Sequence, residues 1–219
     1  MTMIANSASM YHYCNRAVWK TVNQGHRGYT LQDPKTGEFF DGERFQGLWP
    51  GWRLVETGPG SELVPPEATK PALFGFNEPI PRSWVVYRDA MNVFDYLMSC
   101  CADKGKDDDE TNLILLEVEL LPEDNPFVVD YVHVRHMARD FGSEPKSEAK
   151  GKIKAEGMKR YWESKVPLAD YDGSFTLPEV VTWFPVPKER IHFIWEKNLH
   201  GFLDAIHGDK EAQSSRLTC

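Results

Sequence analysis

Three short stretches of this chain carry side chains whose type and placement suit chemistry. In Tyr11-His12-Tyr13-Cys14 the side chains of an extended segment alternate, which puts His12 and Cys14 on one face. A histidine fixed there can donate a hydrogen bond to a polar ligand such as a ribose hydroxyl. The ordinary alternative is a half-buried strand histidine bonded to backbone. In Leu177-Pro178-Glu179-Val180-Val181-Thr182, Glu179 heads an apolar run, and Pro178, which lacks a backbone donor, suits the first residue of a strand. A carboxylate in that place is expected to be exposed at the sheet edge. There it could accept a bond from a ribose hydroxyl or stabilise an oxocarbenium-like transition state by its charge. It could equally be a solvated charge at a strand start. In Ala72-Leu73-Phe74-Gly75-Phe76, Phe74 and Phe76 share one strand face and could wall a pocket for a flat ring, with Gly75 permitting close approach. Such aromatics also serve simply as core.

The remaining chemistry-bearing residues argue mostly for exclusion. Cys14, Cys100, Cys101 and Cys219 include no C-x-x-C pair, so neither zinc nor a redox motif is indicated, and reduced thiols in a cytoplasmic setting are the simplest reading. The adjacent pair reads as helix packing. His133, His136 and Asp140 have spacing that a metal hydrolase could use. However, the stretch from Val128 to Val134 looks extended, and no H-E-x-x-H motif accompanies it. A net charge of -8 argues against broad nonspecific nucleic-acid binding, which rests on phosphate neutralisation. The lysine-rich stretch from Lys146 to Arg160 also holds Glu148 and Glu156 and reads as a solvated helix face.

The elements that must position these residues follow from periodicity and punctuation. The chain of 219 residues, 41% hydrophobic and 26% charged, suits one core of ordinary size. No apolar run approaches the roughly 20 residues of a membrane helix. Residues 1–9 read as a disordered leader and 208–219 as a flexible tail, with a single domain over 10–207. Tyr11–Cys14 is an expected strand. Arg16–Asn23 is an expected helix with Asn15 as its N-cap and Gly25 as its stop. The Gly-, Pro- and Trp-rich segment 28–75 suits short strands and turns. Pro71–Phe76 is an expected strand, which Ser83–Val86 could extend. Asp89–Cys101 has helical spacing at Met91, Phe94, Leu97, Met98 and Cys101, and Lys104–Glu110 is a charged loop. Asn112–Leu121 and Phe127–Val134 are expected strands, and Ser147–Ser164 an expected helix. Glu179–Phe184 and Ile191–Trp195 are strands joined by a turn at Pro185–Lys188, and Asn198–Ile206 is a closing helix. The pattern is α+β, with a mixed, mostly antiparallel split sheet and short helices.

Taken in order, these pieces resemble the ADP-ribosyltransferase superfamily in its H-Y-E branch, which includes the RNA 2′-phosphotransferases and DNA-modifying relatives. In that family an early strand carries a histidine followed two positions later by Thr or Ser, and a short helix ending in glycine comes next. A middle strand carries an aromatic that stacks on nicotinamide. A late strand opens on the catalytic glutamate and runs into a turn and a final strand. Here these places are taken by Tyr11-His12-Tyr13-Cys14, by Trp19 to Gly25, by Ala72 to Phe76 and by Pro178-Glu179-Val180-Val181. Phe184-Pro185-Val186-Pro187-Lys188-Glu189-Arg190-Ile191 resembles the family's closing strand, proline turn and isoleucine strand, and Leu115–Leu120 looks like its central strand. Two departures stand out. Cys14 replaces the hydroxyl residue, and Phe74 or Phe76 replaces the tyrosine, unless Tyr87 fills that role. No Ser-Thr-Ser or Gln/Glu-x-Glu motif is present, which sets aside the arginine-modifying toxin branch.

The resemblance implies NAD as substrate and cleavage of the nicotinamide–ribose bond. Catalysis would fall to Glu179 and His12. His12, Tyr13, Cys14 and one of Phe74, Phe76 or Tyr87 would line the NAD site, and a macromolecular acceptor of unknown identity, a protein or less readily a nucleic acid, would receive the ADP-ribose. A different class also fits. Seven tryptophans and the Gly/Pro-rich first half could build an aromatic groove in a noncatalytic peptide- or protein-binding module.

Overall fold

A computed structural model describes residues 7–51, 65–81, 97, 112–133 and 148–214, with backbone alone for 148–154 and 207–214. The expected strand at Ser83–Val86, Tyr87, nearly all of the expected helix at Asp89–Cys101, the charged loop at Lys104–Glu110, and His136 and Asp140 lie outside these residues.

The local signals around the first helix act as their chemistry requires. Strand β1 (Ala8–Cys14) leads directly into helix α1 (Arg16–Gln24). The Asn15 side chain accepts the Val18 N–H at 2.9 Å, satisfying one of the donors a helix start leaves unpaired. Gly25, at φ 79°, ends the helix, its N–H reaching the Thr21 carbonyl. An added Cβ there would sit 2.7 Å from the Glu43 carbonyl oxygen, so both the dihedral and the packing demand glycine. The stretch beyond it holds short strands, as its turn residues suggest: β2 (Thr30–Gln32), β3 (Phe39–Asp41) and β4 (Gly47–Leu48).

Strands β5 (Leu73–Phe76), β6 (Asn112–Leu120), β7 (Phe127–Asp130), β8 (Val166–Pro167), β9 (Pro178–Thr182), β10 (Val186–Pro187) and β11 (Ile191–Asn198) follow, with helix α2 (Glu148–Glu163) before β8 and α3 (Leu199–Ser214) after β11. Seven of the strands form one sheet in the order β11-β6-β1-β5-β9-β7-β8. The pairs β11–β6, β1–β5, β9–β7 and β7–β8 are antiparallel. The class is therefore α+β with a large antiparallel sheet.

Several boundaries differ from expectation, beginning with β1, whose pairing starts at Ala8 inside the segment expected to be a disordered leader. The strand expected to reach Val134 stops at Asp130, because that side chain bonds the Val132 N–H at 3.1 Å and turns the chain, so that Val132 and His133 are helical. The expected turn at Pro185–Lys188 contains β10, which pairs with β4. The closing helix continues through Gly208 to Ser214, into the segment expected to be a flexible tail.

The chain divides into two compact units, one of residues 1–7, 49–75 and 120–185, the other of 8–48, 76–119 and 186–219. In the first, α2 supplies Tyr161 and Trp162 to a core with Phe127, Val129 and Val181, and Phe74 packs against it. In the second, Leu113 and Leu115 of β6 pack with Tyr13, Phe76, Leu199 and Phe202. Burial of these apolar faces is the main driving force for each unit.

Candidate functional site

Strand β9 carries the one late carboxylate that sequence reasoning singled out. Antiparallel pairing sets Pro178 opposite Asp130, Glu179 opposite Val129 and Val181 opposite Phe127. Because strand side chains alternate, Glu179 and Val181 project to the same side. Glu179 is fully buried, at 0% exposure. This corrects the expectation that it stands exposed at the sheet edge. Its strand is flanked by β5 and β7 within the sheet, and a helix residue caps it: the Tyr161 hydroxyl of α2 donates to Glu179 Oε2 at 2.5 Å. A carboxylate taken out of water is costly unless donors replace its hydration, and Tyr161 supplies one.

A short relay of bonds holds that pair in place. Ser164, just beyond α2, donates its hydroxyl to the Tyr161 carbonyl at 2.7 Å and accepts the Asp130 N–H at 2.9 Å. Asp130, itself buried, accepts the Leu177 N–H at 3.1 Å and the Thr176 N–H at 3.3 Å, besides that of Val132. The segment entering β9, the end of β7 and the last turn of α2 are thereby tied together beside Glu179. Around the phenol ring of Tyr161, Tyr131 packs edge-on at 6.4 Å and Trp162 at 5.1 Å.

Sequence reasoning missed Tyr161, Ser164 and Asp130. The signal for Asp130 was an acid closing the apolar run Phe127-Val128-Val129. Tyr161 carried none, since an aromatic near a helix end reads as ordinary core.

The other expected site residues fall as follows. His12 is half-buried on β1, and Cys14 is buried. Tyr13 is core: it meets Phe76 at 6.1 Å, Trp195 at 5.9 Å and Phe202 at 5.9 Å, and its hydroxyl donates to the Pro79 carbonyl. Phe76 belongs to that same cluster, whereas Phe74, half-buried, packs in the unit that holds Glu179. The structure thus brings Tyr13 and Phe76 together, and brings Glu179 together with the unforeseen Tyr161. Among the described residues no three His, Cys, Asp or Glu side chains form a metal-holding group, and no helix is long and apolar enough to cross a membrane. Comparison with protein-family models, with curated proteins and with solved structures finds no match to this chain.

Proposed function

We propose that this chain is an ADP-ribosyltransferase-like enzyme that cleaves the nicotinamide–ribose bond of NAD and passes ADP-ribose to a macromolecular acceptor in the cytoplasm. The reading extends to the fold, taken as a variant of that superfamily's split sheet. The observation that carries it is the buried, hydroxyl-held carboxylate of Glu179 near the start of β9. Val180 and Val181 beside it show that this strand readily accepts apolar residues. A buried carboxyl group costs more than a valine there, and a chemical role accounts for that cost. Away from water its charge acts on a developing oxocarbenium with little screening. Since Glu179 is covered, its cover must part before a substrate reaches it, and binding and chemistry become separate steps.

The test is nicotinamide release from NAD, with and without cell lysate as acceptor source. Glu179→Gln keeps size and removes charge. Turnover is expected to fall about 10²–10³-fold while NAD affinity changes little, because only interactions stronger in the transition state alter the chemical step. NAD at 100 times its dissociation constant should add about 2.7 kcal/mol to stability. A Gln variant as active as the parent removes Glu179 from the mechanism.

A second reading, a noncatalytic binding module, is favoured by the exposure of Tyr29 and Phe39 beside and within the β2–β3 pair and of Phe193 and Ile194 on β11. Absence of any NAD-induced shift in melting temperature at millimolar NAD would select it.

A further inference from the structure

At the far end of β9 from Glu179 lies a group of side chains that the proposed chemistry does not use. Trp183 follows the strand immediately, four residues beyond Glu179, or about 13 Å at the rise of a β-strand. Its ring lies against two others: Phe127, with centroids 4.5 Å apart, and Trp162, whose ring is nearly parallel at 15° with centroids 6.3 Å apart. Two ammonium groups lie close to this cluster. Lys70 Nζ and Lys165 Nζ each stand 5.2 Å from the centroid of the Trp183 ring, and Lys165 is also 5.6 Å from that of Phe127. All five residues belong to the same compact unit.

Two features separate this cluster from ordinary aromatic packing. The first is charge. The chain as a whole carries -8, yet here two cations sit on one indole, and among the described residues no carboxylate lies within ion-pair distance of either. Cation–π attraction accounts for the ammonium charge lying over the ring, and because both lysines are exposed their remaining N–H bonds face water and stay available to a ligand. The second is a pair of unmet donors. The Nε1–H groups of both Trp162 and Trp183 are buried and have no hydrogen-bond partner, and Trp162 as a residue is only 5% exposed. Buried indole N–H groups usually find an acceptor, and one left unmade is expensive. The cluster is therefore rich in donors and positive charge and short of acceptors. What complements it is a compact ligand that accepts hydrogen bonds, offers none and carries more than one negative charge.

We propose that Lys70, Lys165 and the indole N–H groups of Trp162 and Trp183 form a binding site for a phosphoryl group. The lysines act as point charges on the phosphoryl oxygens. Trp183, only half-buried at the edge of the cluster, shifts to open the two N–H groups to the ligand, and Trp162 remains as the fixed donor. The site is separate from Glu179 and does not depend on the transferase reading.

The experiment follows the indole Nε1–H resonances of Trp162 and Trp183 in the full chain labelled with ¹⁵N-tryptophan, assigned by Trp162→Phe and Trp183→Phe. The titrants are inorganic phosphate, inorganic pyrophosphate, malonate and, at matched ionic strength, sodium chloride. Saturable shifts of both resonances with phosphate or pyrophosphate are expected, and the double variant Lys70→Met, Lys165→Met should weaken binding at least about tenfold. Methionine keeps an unbranched apolar stem on the rings, and the unsubstituted chain reports on binding whether or not that variant folds. Phosphate binding with no pyrophosphate binding, or the reverse, tells an isolated phosphoryl group from a phosphoanhydride, and either supports the site. Resonances that do not move, that move equally with chloride, or that move as strongly with malonate overturn it.

Discussion

Removing one hydroxyl tests whether Tyr161 is what makes a buried Glu179 tolerable. Tyr161→Phe keeps the ring and its edge-on contacts with Tyr131 and Trp162, and deletes only the donor that reaches Glu179 Oε2 at 2.5 Å. Both residues are fully buried, so water cannot replace the bond without a rearrangement. Hydrogen bonds to a charged partner contribute about 1.5–3 kcal/mol. For a chain of this size each kcal/mol moves the melting temperature by roughly 2–4 °C, so a fall of about 3–12 °C is expected. Urea unfolding should show a lower midpoint with the same slope, since the surface exposed on unfolding is unchanged. The double variant with Glu179→Gln isolates the pair itself, and the coupling should be about 1–3 kcal/mol. A Phe variant that loses less than about 0.5 kcal/mol, the range of an ordinary surface substitution, together with no coupling to position 179, would refute the account of this pair.

Asp130→Ala takes the acceptor from three backbone N–H groups at once, and a loss of about 2–4 kcal/mol is expected, with faster amide exchange at Leu177 reporting the loosened entry to β9. The pH dependence of stability has a contribution from Tyr11. Its hydroxyl is pushed above the ordinary 10.0 by burial first, then by the negative charge of Glu117 and its own hydrogen bond to that carboxylate. The folded state therefore holds this proton more tightly than the unfolded chain. The associated stability is fully present below the pH at which an unfolded tyrosine ionises and is lost as pH rises through the folded-state value. Unfolding midpoints measured at neutral pH and above pH 10 should fall more steeply for the parent than for Tyr11→Phe, and parallel profiles would exclude Tyr11 as the cause.

What could be read from the residues alone was what short-range chemistry decides. Asn15 and Gly25 bound α1 because a cap bond and a positive φ are settled within a few residues. The run from Asn112 to Leu120 is a strand in any context that buries it. Elements decided by distant partners were not legible. β10 is two residues long and exists because β4 pairs with it, so its own sequence read as a turn. The exposure of Glu179 was misjudged for the same reason. Pro178 marks a strand start, but only the flanking β5 and β7 and the phenol of Tyr161 decide that the start is covered. Nothing in positions near Glu179 names its partner, 18 residues earlier on another element. Phe74 and Phe76 were correctly seen as a strand pair, yet their neighbours place them in different clusters.

The division of the chain into two units has a consequence for its synthesis. Neither unit is a continuous stretch: the first draws on residues 49–75 and 120–185, the second on 8–48, 76–119 and 186–219. A growing chain that has emitted β6 still lacks β11, its antiparallel partner, and also lacks Leu199 and Phe202, which pack in the same cluster as Leu113 and Leu115. The run Leu113-Ile114-Leu115-Leu116 must therefore wait, unpaired along one edge, until β11 and the start of α3 have been made. Such a segment is prone to self-association while it waits. Shielding by ribosome-associated chaperones should accordingly raise the soluble yield, and expressing either unit by itself would require joining pieces that the gene keeps apart.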